Sequence, residues 1–428
     1  MSTSISRRPP FVANRYPREL SKGDHHAVHA GQVVEWSGTH WVILDDETLK
    51  RDVYAFLVKN EDEDRATNNN VDNAIKATLL HLPLLAAPPL ETVVLPAMNG
   101  YIWIEGGTVT LLPHDKSLGL CHCIKCDYTP GASAPARFLA LLEEILPDPD
   151  VRSRVQEYAG YTFLPDARFQ HAQFWIGSGA NGKGTLANII QAMHSRVASV
   201  QLNEMDGFNL ANLPGAPMIY CDEAPQQKIN EQLLKTIIAG ELVNVKRKYL
   251  GSVDARITGK WLVLANHIPS ITDQSAGFWR RWDIIPFEVT IPAARRDASL
   301  AKYVIQHELS GVLNWAIEGL LRLLARGRFN PTLPVAVQAA LREAKLETNS
   351  VAAWWEETSG EVLADAKTEK TKAYSYYADW SRAHGMSPVA SPKFWKRIME
   401  ILGADLVMKK VRGQRFCNIS LQGYGRHA

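Results

Sequence analysis

The sequence predicts an α/β fold, and three observations indicate it. Between about residues 165 and 290, short apolar stretches alternate with helix-like stretches, which is the pattern of an α/β sheet. Two of the apolar stretches, PMIYCDE and KWLVLAN, end in polar residues at their carboxyl ends. A glycine-rich segment, GSGANGKG, separates a third apolar stretch, HAQFWI, from a helix-like stretch. These features favour a central α/β unit with polar groups gathered where its strands end.

Composition limits the class of protein. At 428 residues the chain is too long for one core, so two to four domains are expected. Hydrophobic residues make up 46% and charged residues 21%, as in ordinary soluble proteins. The net charge of +2 requires any nucleic-acid surface to be local. No apolar run reaches the roughly 18 residues of a membrane span. The opening MSTSISRRPPF lacks a secretory signal, and five cysteines suit a reducing cytoplasm.

The elements before the central unit form two predicted segments. Residues 1–24, rich in Arg, Pro and Ser, are expected to be flexible. Residues 25–133 are predicted to form an N-terminal α+β domain. Its hairpins are QVVEWSGTHWVIL and MNGYIWIEGGTVTLL, and the acidic, Asn-rich KNEDEDRATNNNVDN between them is predicted to be a loop.

The motif CHCIKC, residues 121–126, has two interpretations. Cys121, Cys123 and Cys126, with His114 or His122, could form a metal knuckle. Zinc usually takes four ligands from paired C-x₂₋₄-C spacings, and the chain has no second pair. We therefore favour a strand in which the cysteines act as small hydrophobic residues.

The remaining elements belong to two further predicted domains. In residues 134–347 a helix is expected from about 134 to 146, with Phe138, Leu141, Leu142 and Ile145 on one side, and residues 297–347 are expected to be helical. Residues 348–428 are predicted to form a separate C-terminal domain. It would contain helices near 371–384 and 391–402 and a hairpin that turns at Gly413.

The glycine-rich segment fits the phosphate-loop pattern G-x-x-x-x-G-K through Gly177, Gly182 and Lys183. The loop N–H groups and the start of the following helix would bind phosphate oxygens, and Lys183 would bridge the β- and γ-phosphates. The alternative is a glycine-rich turn that binds nothing. The predicted ATP-binding residues are Gly177, Ser178, Gly179, Ala180, Asn181, Gly182, Lys183, Gly184 and Thr185.

Three further sequence elements complete a candidate ATP site. Asp222 ends a strand and would hold Mg²⁺, while Glu223 would activate the attacking water. Asn266 ends the next strand and would orient that water. Arg280 or Arg281 would stabilise the transferring phosphoryl group, with Arg280 favoured.

With these motifs the chain resembles the superfamily 3 helicases of viruses, phages and plasmids, in the branch of poxvirus and phage primase-helicases. GSGANGKGT resembles the Walker A loop, YCDE the Walker B strand, LVLAN the sensor asparagine motif and FWRRWDIIPF the arginine-finger segment. LLKTIIAGELVNVKRKY is similar to the helix and DNA-contacting hairpin that are specific to the superfamily.

The resemblance implies an AAA+-like P-loop ATPase core and a winged-helix-like C-terminal domain. It implies a homo-oligomeric ring, taken here as a hexamer, in which the arginine acts on a neighbour's ATP. ATP and Mg²⁺ are the expected cofactors, and CHCIKC falls on a connecting strand. Relatives that carry a primase catalytic domain are longer at the N-terminus.

Two positions depart from the family pattern. Gly184 replaces the hydroxyl residue after the Walker lysine, so Asp222 is expected to hold Mg²⁺ with help from Thr185. Ala239 replaces the first Gly of a Gly-Gly pair, and Glu241 stands where Asp is common, which puts the entry into the hairpin in doubt.

Two basic surfaces are candidates for DNA. Lys246, Arg247 and Lys248 would contact single-stranded DNA from a hairpin in the ring channel, rather than form a solvated strand. The C-terminal domain could bind duplex phosphates or a partner protein. Its basic residues between 393 and 415 are Lys393, Lys396, Arg397, Lys409, Lys410, Arg412 and Arg415.

These observations lead to one function and two alternatives. The leading hypothesis is an ATP-dependent DNA helicase of a phage or plasmid replicon, in the host cytoplasm, that moves 3′ to 5′ and unwinds duplex. The first alternative is an initiator or loader that remodels partners without processive unwinding, and the second is a subunit that binds ATP only structurally. The expected partners are single-stranded and forked DNA, further copies of the chain, and a separate primase, polymerase or initiator, with no membrane.

Overall fold

Two small antiparallel sheets and three helices make up the first part of the chain. The computed structural model describes residues 10–60, 63–87, 92–225, 227, 229–247, 251–358 and 360–420. The elements of the first part are α1 (Arg15–Leu20), β1 (His26–His29), β2 (Gln32–Trp36), β3 (Trp41–Ile43), α2 (Asp46–Asn60), α3 (Asn68–His81), β4 (Val93–Ala97), β5 (Gly100–Glu105) and β6 (Thr108–Leu112). The strands pair in the orders β1-β2-β3 and β4-β5-β6, which confirms both predicted hairpins.

The first part is more helical than the sequence predicted. Most of the expected acidic loop belongs to α2 and α3, because Thr67 caps α3 by accepting a hydrogen bond from the Asn70 N–H and Val71 packs in the core. Residues 61 and 62 of that segment lie outside the described residues. Residues 1–24 were expected to be flexible, but part of this segment is ordered in the structure. Helix α1 begins at Arg15, and Tyr16 is buried against Phe56. Residues 1–9 lie outside the described residues.

The central part contains a parallel sheet of five strands in the order β13-β7-β12-β9-β8. Its elements are α4 (Ala136–Ile145), α5 (Pro149–Tyr161), β7 (Ala172–Ile176), α6 (Lys183–Ala192), β8 (Val197–Ser199), β9 (Met218–Cys221), α7 (Glu231–Ile238), β10 (Leu242–Arg247), β11 (Gly251–Arg256), β12 (Lys260–Ala265), α8 (Ala276–Trp279), β13 (Trp282–Pro286), α9 (Leu300–His307), α10 (Leu309–Arg326) and α11 (Val335–Thr348). The apolar stretches that predicted β7, β9 and β12 are therefore confirmed as strands of this sheet.

A hydrophobic core covers each face of the parallel sheet. Successive strand residues point to opposite faces, so Trp175 packs with α4, α5, α6 and α10, whereas Phe174 packs with α7, α8 and β10. Burial on both faces explains why these strands are apolar without alternation. Residues of β4 and β5 join the first core, with Leu95 and Ile102 fully buried. The domain boundaries at residues 24, 133 and 347 remain predictions.

Helices α5 and α10 cross at very short range. A Cβ atom at Gly160 would overlap the carbonyl oxygen of Ala316, and one at Gly319 would overlap that of Gln156. The two backbones therefore meet without intervening side chains at both positions. Glu157 is buried beside this crossing, and Arg326 donates to it over 2.8 Å.

The last part of the chain packs three helices against short strands. Its elements are α12 (Ser350–Glu357), β14 (Glu361–Val362), β15 (Thr368–Glu369), α13 (Lys370–Ala383), α14 (Ser391–Leu402), β16 (Met408–Val411), β17 (Gln414–Cys417) and β18 (Ile419–Ser420). Trp354, Tyr377 and Phe394 form its core. The two predicted helices and the hairpin at Gly413 are confirmed. Arg397 differs from the expected basic surface, because it is buried with 6% exposure.

The CHCIKC segment forms no regular strand, contrary to expectation. Only Ile124 makes β-bridges, to Ala97 and His194. All five cysteines are free thiols, and His122 pairs its Nε2 with the Phe163 carbonyl oxygen at 2.9 Å. Within the described ranges no group of three or more metal-ligating side chains comes together, and no helix is long and apolar enough to cross a membrane.

Candidate functional site

A cleft of about 370 Å³ lies where β7, β9 and β12 end. Three segments separated in sequence meet in it, as the sequence predicted. The lining residues are Gly179, Ala180, Asn181, Gly182, Lys183, Gly184, Thr185, Asp222, Glu223, Leu264, Ala265 and Asn266. Gly177 and Ser178 lead into the lining loop from the end of β7. Parallel strands bring their carboxyl ends to one edge of the sheet, which is where such folds bind ligands.

Glycine is needed at both ends of the loop between β7 and α6. A Cβ atom at Gly177 would overlap the side chain of Asn181, and one at Gly182 would lie 2.6 Å from Cγ2 of Ile145. Gly182 also has a φ of +78°, a left-handed conformation that other residues adopt at a cost. The loop can therefore turn tightly against the protein and present its backbone to the cleft.

Asn181 fixes the loop from the buried side. Its side chain is 3% exposed, donates from Nδ2 to the Phe287 carbonyl oxygen over 3.2 Å and accepts from the Lys183 N–H over 3.4 Å. The N–H of Ile291 donates to the Ala180 carbonyl oxygen over 2.8 Å. The segment after β13 thus holds the loop in shape, a role that the sequence did not reveal.

The amino end of α6 opens into the cleft. Its N-cap residue, Gly182, has no side chain that could accept from the N–H groups of Gly184 and Thr185 in the first turn. Those groups and the helix dipole favour an anion in the cleft. Gly184 and Thr185 belong to this turn, and a Cβ atom at Gly184 would meet no heavy atom within 4 Å.

Lys183 spans the cleft. Its Nζ donates to the Gly177 carbonyl oxygen over 2.6 Å and to Oδ1 of Asn266 over 3.0 Å. Partial burial lowers the pKa of Lys183, while Glu223 and Asp222 oppose that shift. The ammonium group is therefore held between the loop and the end of β12 by neutral oxygen atoms that a phosphate could replace.

Tyr220 positions one carboxylate of the cleft. Asp222 is exposed, and its Oδ1 accepts a hydrogen bond of 2.6 Å from the Tyr220 hydroxyl. Burial raises the pKa of Tyr220, and so does the bond to Asp222, so the phenol stays protonated and donates. The sequence analysis missed this residue. Two-residue spacing on a strand places both side chains on the same side, and that spacing could have revealed the pair.

The cleft continues past the two acidic residues. A second hollow of about 580 Å³ shares Asp222, Glu223 and Asn266 with it. Its further polar lining residues include Ser199, Gln201, Asn203 and His267. Glu223 therefore stands at the boundary between the two spaces and is accessible from both.

The two predicted arginines do not line either space. Ser275 caps α8 by accepting from the Phe278 N–H over 3.3 Å, and Arg280 follows the helix with an exposed side chain. Arg281 is half-buried, and its Nη1 donates to the Gly277 carbonyl oxygen. Burial lowers the pKa of Arg281, as does the neighbouring charge of Arg280. The two arginines thus differ, because only Arg280 extends to solvent.

A buried ion pair anchors the strand after these arginines. Asp283 in β13 lies 2.7 Å from Arg154 of α5 and 3.1 Å from His171. Burial alone would raise the pKa of Asp283, but the charges of His171 and Arg154 hold it well below its usual range. The sequence did not reveal this pair, because Arg154 is far from Asp283 along the chain.

Helix α7 and the β10–β11 hairpin lie apart from the cleft residues. The helix ends in a left-handed Gly240, with hydrogen bonds from the Gly240 N–H to Ile237 and from the Glu241 N–H to Thr236. Ala239 keeps a right-handed conformation, so its replacement of glycine does not disturb the entry into the hairpin.

The hairpin carries the predicted DNA-binding residues only in part. Strands β10 and β11 pair from Leu242 to the Arg247–Gly251 pair. Lys246 is exposed. The backbone of Arg247 lies in β10, its side chain is outside the described residues, and so is the whole of Lys248.

Comparisons with known proteins define the fold more than the function. A protein-family model described as a family of unknown function (DUF5906) matches residues 175–281. A search of curated proteins found no match. An apo structure of the NrS-1 C-terminal region aligns over 96% of this chain and 100% of its own, with 11% identity and a TM-score of 0.52. Its A form aligns over 94% and 98%, with 14% identity and a TM-score of 0.52.

A third solved structure overlaps less. The JCV helicase aligns over 50% of this chain and 60% of its own, with 16% identity, and its TM-score of 0.30 is too low to show a shared fold. The chain therefore has the fold of the NrS-1 C-terminal region across nearly its whole described length.

Proposed function

We propose that the chain is an ATP-hydrolysing DNA helicase of a phage or plasmid replicon, in the superfamily 3 branch of primase-helicases. One observation carries the proposal. Residues 179–185, the pair Asp222 and Glu223, and Asn266 meet in one cleft at the carboxyl ends of a parallel sheet. The strand order β13-β7-β12-β9-β8 suits the AAA+-like ATPase that this branch uses.

The cleft has the donors that a nucleotide triphosphate needs. The first turn of α6 and the loop before it would bind phosphate oxygens through N–H groups, and Lys183 would exchange its two neutral oxygen partners for phosphate. Asp222 and Thr185 supply oxygen atoms of the kind that Mg²⁺ prefers, and Tyr220 orients Asp222 for that purpose. Bound Mg²⁺ would neutralise part of the phosphate charge.

Glu223 and Asn266 would handle the attacking water. Glu223 is an exposed carboxylate at the boundary of the two spaces, where it can accept a proton from water. Asn266 lies within reach of Lys183 and can orient that water once Lys183 turns to phosphate.

Arg280 would complete the site of a neighbouring subunit in a ring, taken as a hexamer. Its exposure supports this role over Arg281, which is bound to its own helix. A head-to-tail contact of this kind closes into a ring and makes hydrolysis depend on the subunit contact.

DNA would contact two surfaces. Lys246, Arg247 and Lys248 would bind single-stranded DNA at the fork, and the last part of the chain would act as a winged-helix-like unit on duplex DNA or on a separate primase, polymerase or initiator. The exposed Lys409 and Arg412 support a charged contact there.

The proposal is tested by ATP hydrolysis and forked-strand displacement with Lys183→Ala and Glu223→Gln. Lys183→Ala should abolish hydrolysis, since no other cation lines the described cleft. Glu223→Gln should bind ATP without turnover. Lys302→Ala, which changes an exposed lysine of α9, is the matched control.

Each outcome separates the hypotheses. Normal hydrolysis by Glu223→Gln would assign the base to another residue. Hydrolysis by the wild type without strand displacement would support an ATP-dependent initiator or loader, and ATP binding without hydrolysis would support a structural role.

A further inference from the structure

The segment of residues 267–275 connects two proposed catalytic positions. It begins directly after Asn266 in the cleft and ends at Ser275, the cap of the short helix that precedes Arg280. The segment therefore links the position of Asn266 to that of Arg280 along the chain.

One buried carboxylate holds the middle of the segment. Glu231, at the start of α7, is 9% exposed, and its Oε1 accepts hydrogen bonds from the Thr272 N–H at 2.5 Å, the Thr272 hydroxyl at 3.0 Å and the Asp273 N–H at 3.4 Å. One turn later Lys235 donates to Oδ2 of Asp273 over 2.7 Å. Helix α7 thus grips the segment at two neighbouring residues.

The last part of the chain also contacts Thr272, through its carbonyl oxygen. Arg397 of α14 donates from Nη2 to the Thr272 carbonyl oxygen over 3.4 Å and from Nη1 to Oδ1 of Asn349 over 3.2 Å. Within the central part, Gln274 also donates from Nε2 to the Thr348 hydroxyl at the end of α11 over 3.1 Å. Thr272 is therefore held between Glu231 of α7 and Arg397 of α14, and its position depends on both helices.

Helix α7 also leads directly into the hairpin. Gly240 turns the chain from α7 into β10, so a displacement of the hairpin by bound DNA pulls on α7. The buried acceptor at Glu231 would pass this displacement to Thr272, because moving away would leave a desolvated carboxylate without its donors.

We propose that Glu231 is a positioning residue that couples the β10–β11 hairpin to the cleft through Thr272. This inference rests on the proposed function, which it deepens by naming how bound DNA regulates hydrolysis. Glu231 lines neither the cleft nor the adjoining hollow, and it would act only through the segment 267–275.

The test compares Glu231→Ala with Glu231→Gln. The measured quantity is the ratio of the ATP hydrolysis rate with saturating oligothymidylate to the rate without it, alongside the KM for ATP and the Kd for the oligonucleotide. Glu231→Ala should lower the ratio at least about fivefold while both binding constants stay within about twofold. Glu231→Gln should keep most of the ratio, since the amide oxygen can still accept from the Thr272 N–H. Glu318→Ala, an exposed carboxylate on α10, is the control.

Three results would overturn the role of Glu231. They are a wild-type ratio in Glu231→Ala, an equal loss in Glu231→Gln, and a loss explained wholly by weaker DNA binding. If Glu231→Ala fails to fold, Lys235→Met breaks the second contact at a more exposed position and should still lower the ratio; an unchanged ratio would count against coupling. Absence of DNA stimulation in the wild type would overturn coupling together with the proposed function, whereas stimulation that persists in Glu231→Ala would overturn Glu231 alone.

Discussion

Gly184 leaves room in the cleft for a hydroxyl that the loop lacks. No heavy atom lies within 4 Å of a Cβ atom built there, and the residue belongs to the first turn of α6. A serine would therefore fit without displacing a neighbour. It would also remove a glycine from a helix, which should raise the free energy of unfolding by roughly 0.5 kcal/mol.

We predict that Gly184→Ser lowers the Mg²⁺ concentration for half-maximal ATP hydrolysis several-fold, because a second hydroxyl joins Asp222 and Thr185. The measurement is a Mg²⁺ titration at fixed ATP, with Thr185→Val made in both backgrounds. Thr185→Val should raise the Mg²⁺ requirement more in the wild type than in Gly184→Ser. An equal effect in both backgrounds would show that the two hydroxyls do not share a ligand.

At the scale of single residues, the sequence could predict the cleft residues that lie in contiguous motifs. Lys183, Asp222 and Asn266 end or follow strands whose apolar pattern was plain, so their meeting in one cleft followed from parallel pairing. Tyr220 and Glu231 could not be assigned in this way. Tyr220 looked like any buried strand residue, and the partner of Glu231 lies about forty residues away, at Thr272.

Among the elements, the hairpin after α7 was predicted, whereas helices were expected in the first part without their positions, and part of α3 was predicted to be a loop. The hairpin was predicted by family resemblance, and Ala239 and Glu241 left its entry open; in the structure a left-handed Gly240 makes the turn. Helix α3 instead begins in an Asn-rich stretch whose propensity is poor, and it is stabilised by the Thr67 cap and by packing of Val71 and Ile75. Tertiary burial of this kind is not visible in local composition.

The hairpin carries the second prediction. Replacing Lys246 and Lys248 together with alanine should reduce strand displacement more than tenfold and affect DNA-free hydrolysis far less, because Lys246 lies outside the cleft. Each lost phosphate contact should lower the salt dependence of single-strand binding by roughly 0.7 in the log–log slope. Fluorescence anisotropy across a salt series measures that slope.

Lys59→Ala with Lys302→Ala is a matched control for the hairpin variant, since it removes the same charge from exposed helix positions outside both proposed DNA surfaces. Unwinding at the wild-type rate with an unchanged salt slope in the Lys246 and Lys248 variant would make the basic run a solvated strand.

At the scale of the whole molecule, the short connection after α5, residues 162–164, brings together side chains from distant parts of the chain. The Thr162 hydroxyl pairs with His194, the Phe163 carbonyl oxygen pairs with His122, and the Leu164 carbonyl oxygen accepts from Lys260. The three basic side chains are buried. Burial lowers the pKa of His122 to about 4, that of His194 to about 3 and that of Lys260 to about 7. Burial therefore favours the neutral form of all three side chains in the folded protein.

Stability should therefore fall on acidification. Between pH 6.5 and about 4 the unfolded chain binds protons on both histidines while the folded chain does not, so the free energy of unfolding decreases as the pH falls, by roughly 1 kcal/mol per pH unit for each histidine. Lys260 contributes in the same direction from about pH 10 down to 7. Urea unfolding at pH 7 and pH 5 measures the loss, and His194→Gln should reduce it. The same loss in His194→Gln would assign the pH dependence to other groups.

The proposed ring predicts complementation between subunits. Arg280→Ala and Lys183→Ala should each be inactive, but a mixture should recover some hydrolysis where an intact cleft meets an intact Arg280. The rate is measured across mixing ratios after exchange of subunits is verified by size-exclusion chromatography. Arg281→Ala should behave differently from Arg280→Ala, because it loses an internal contact to Gly277. Verified mixed rings without any recovery would indicate that the arginine acts within its own subunit.

The crossing of α5 and α10 has a mechanical consequence. Gly160 and Gly319 each pack directly against the main chain of the opposite helix, so the two helices fit together in one register. A slide of one helical turn would bring Gln156 to the place of Gly160 or Leu323 to the place of Gly319, where the opposite main chain leaves no room for a side chain, so the two helices should move together. Arg154 fastens this helix pair to Asp283 in β13, directly behind the arginine segment. A displacement of either helix should therefore be carried to β13 and to the arginine segment that precedes it.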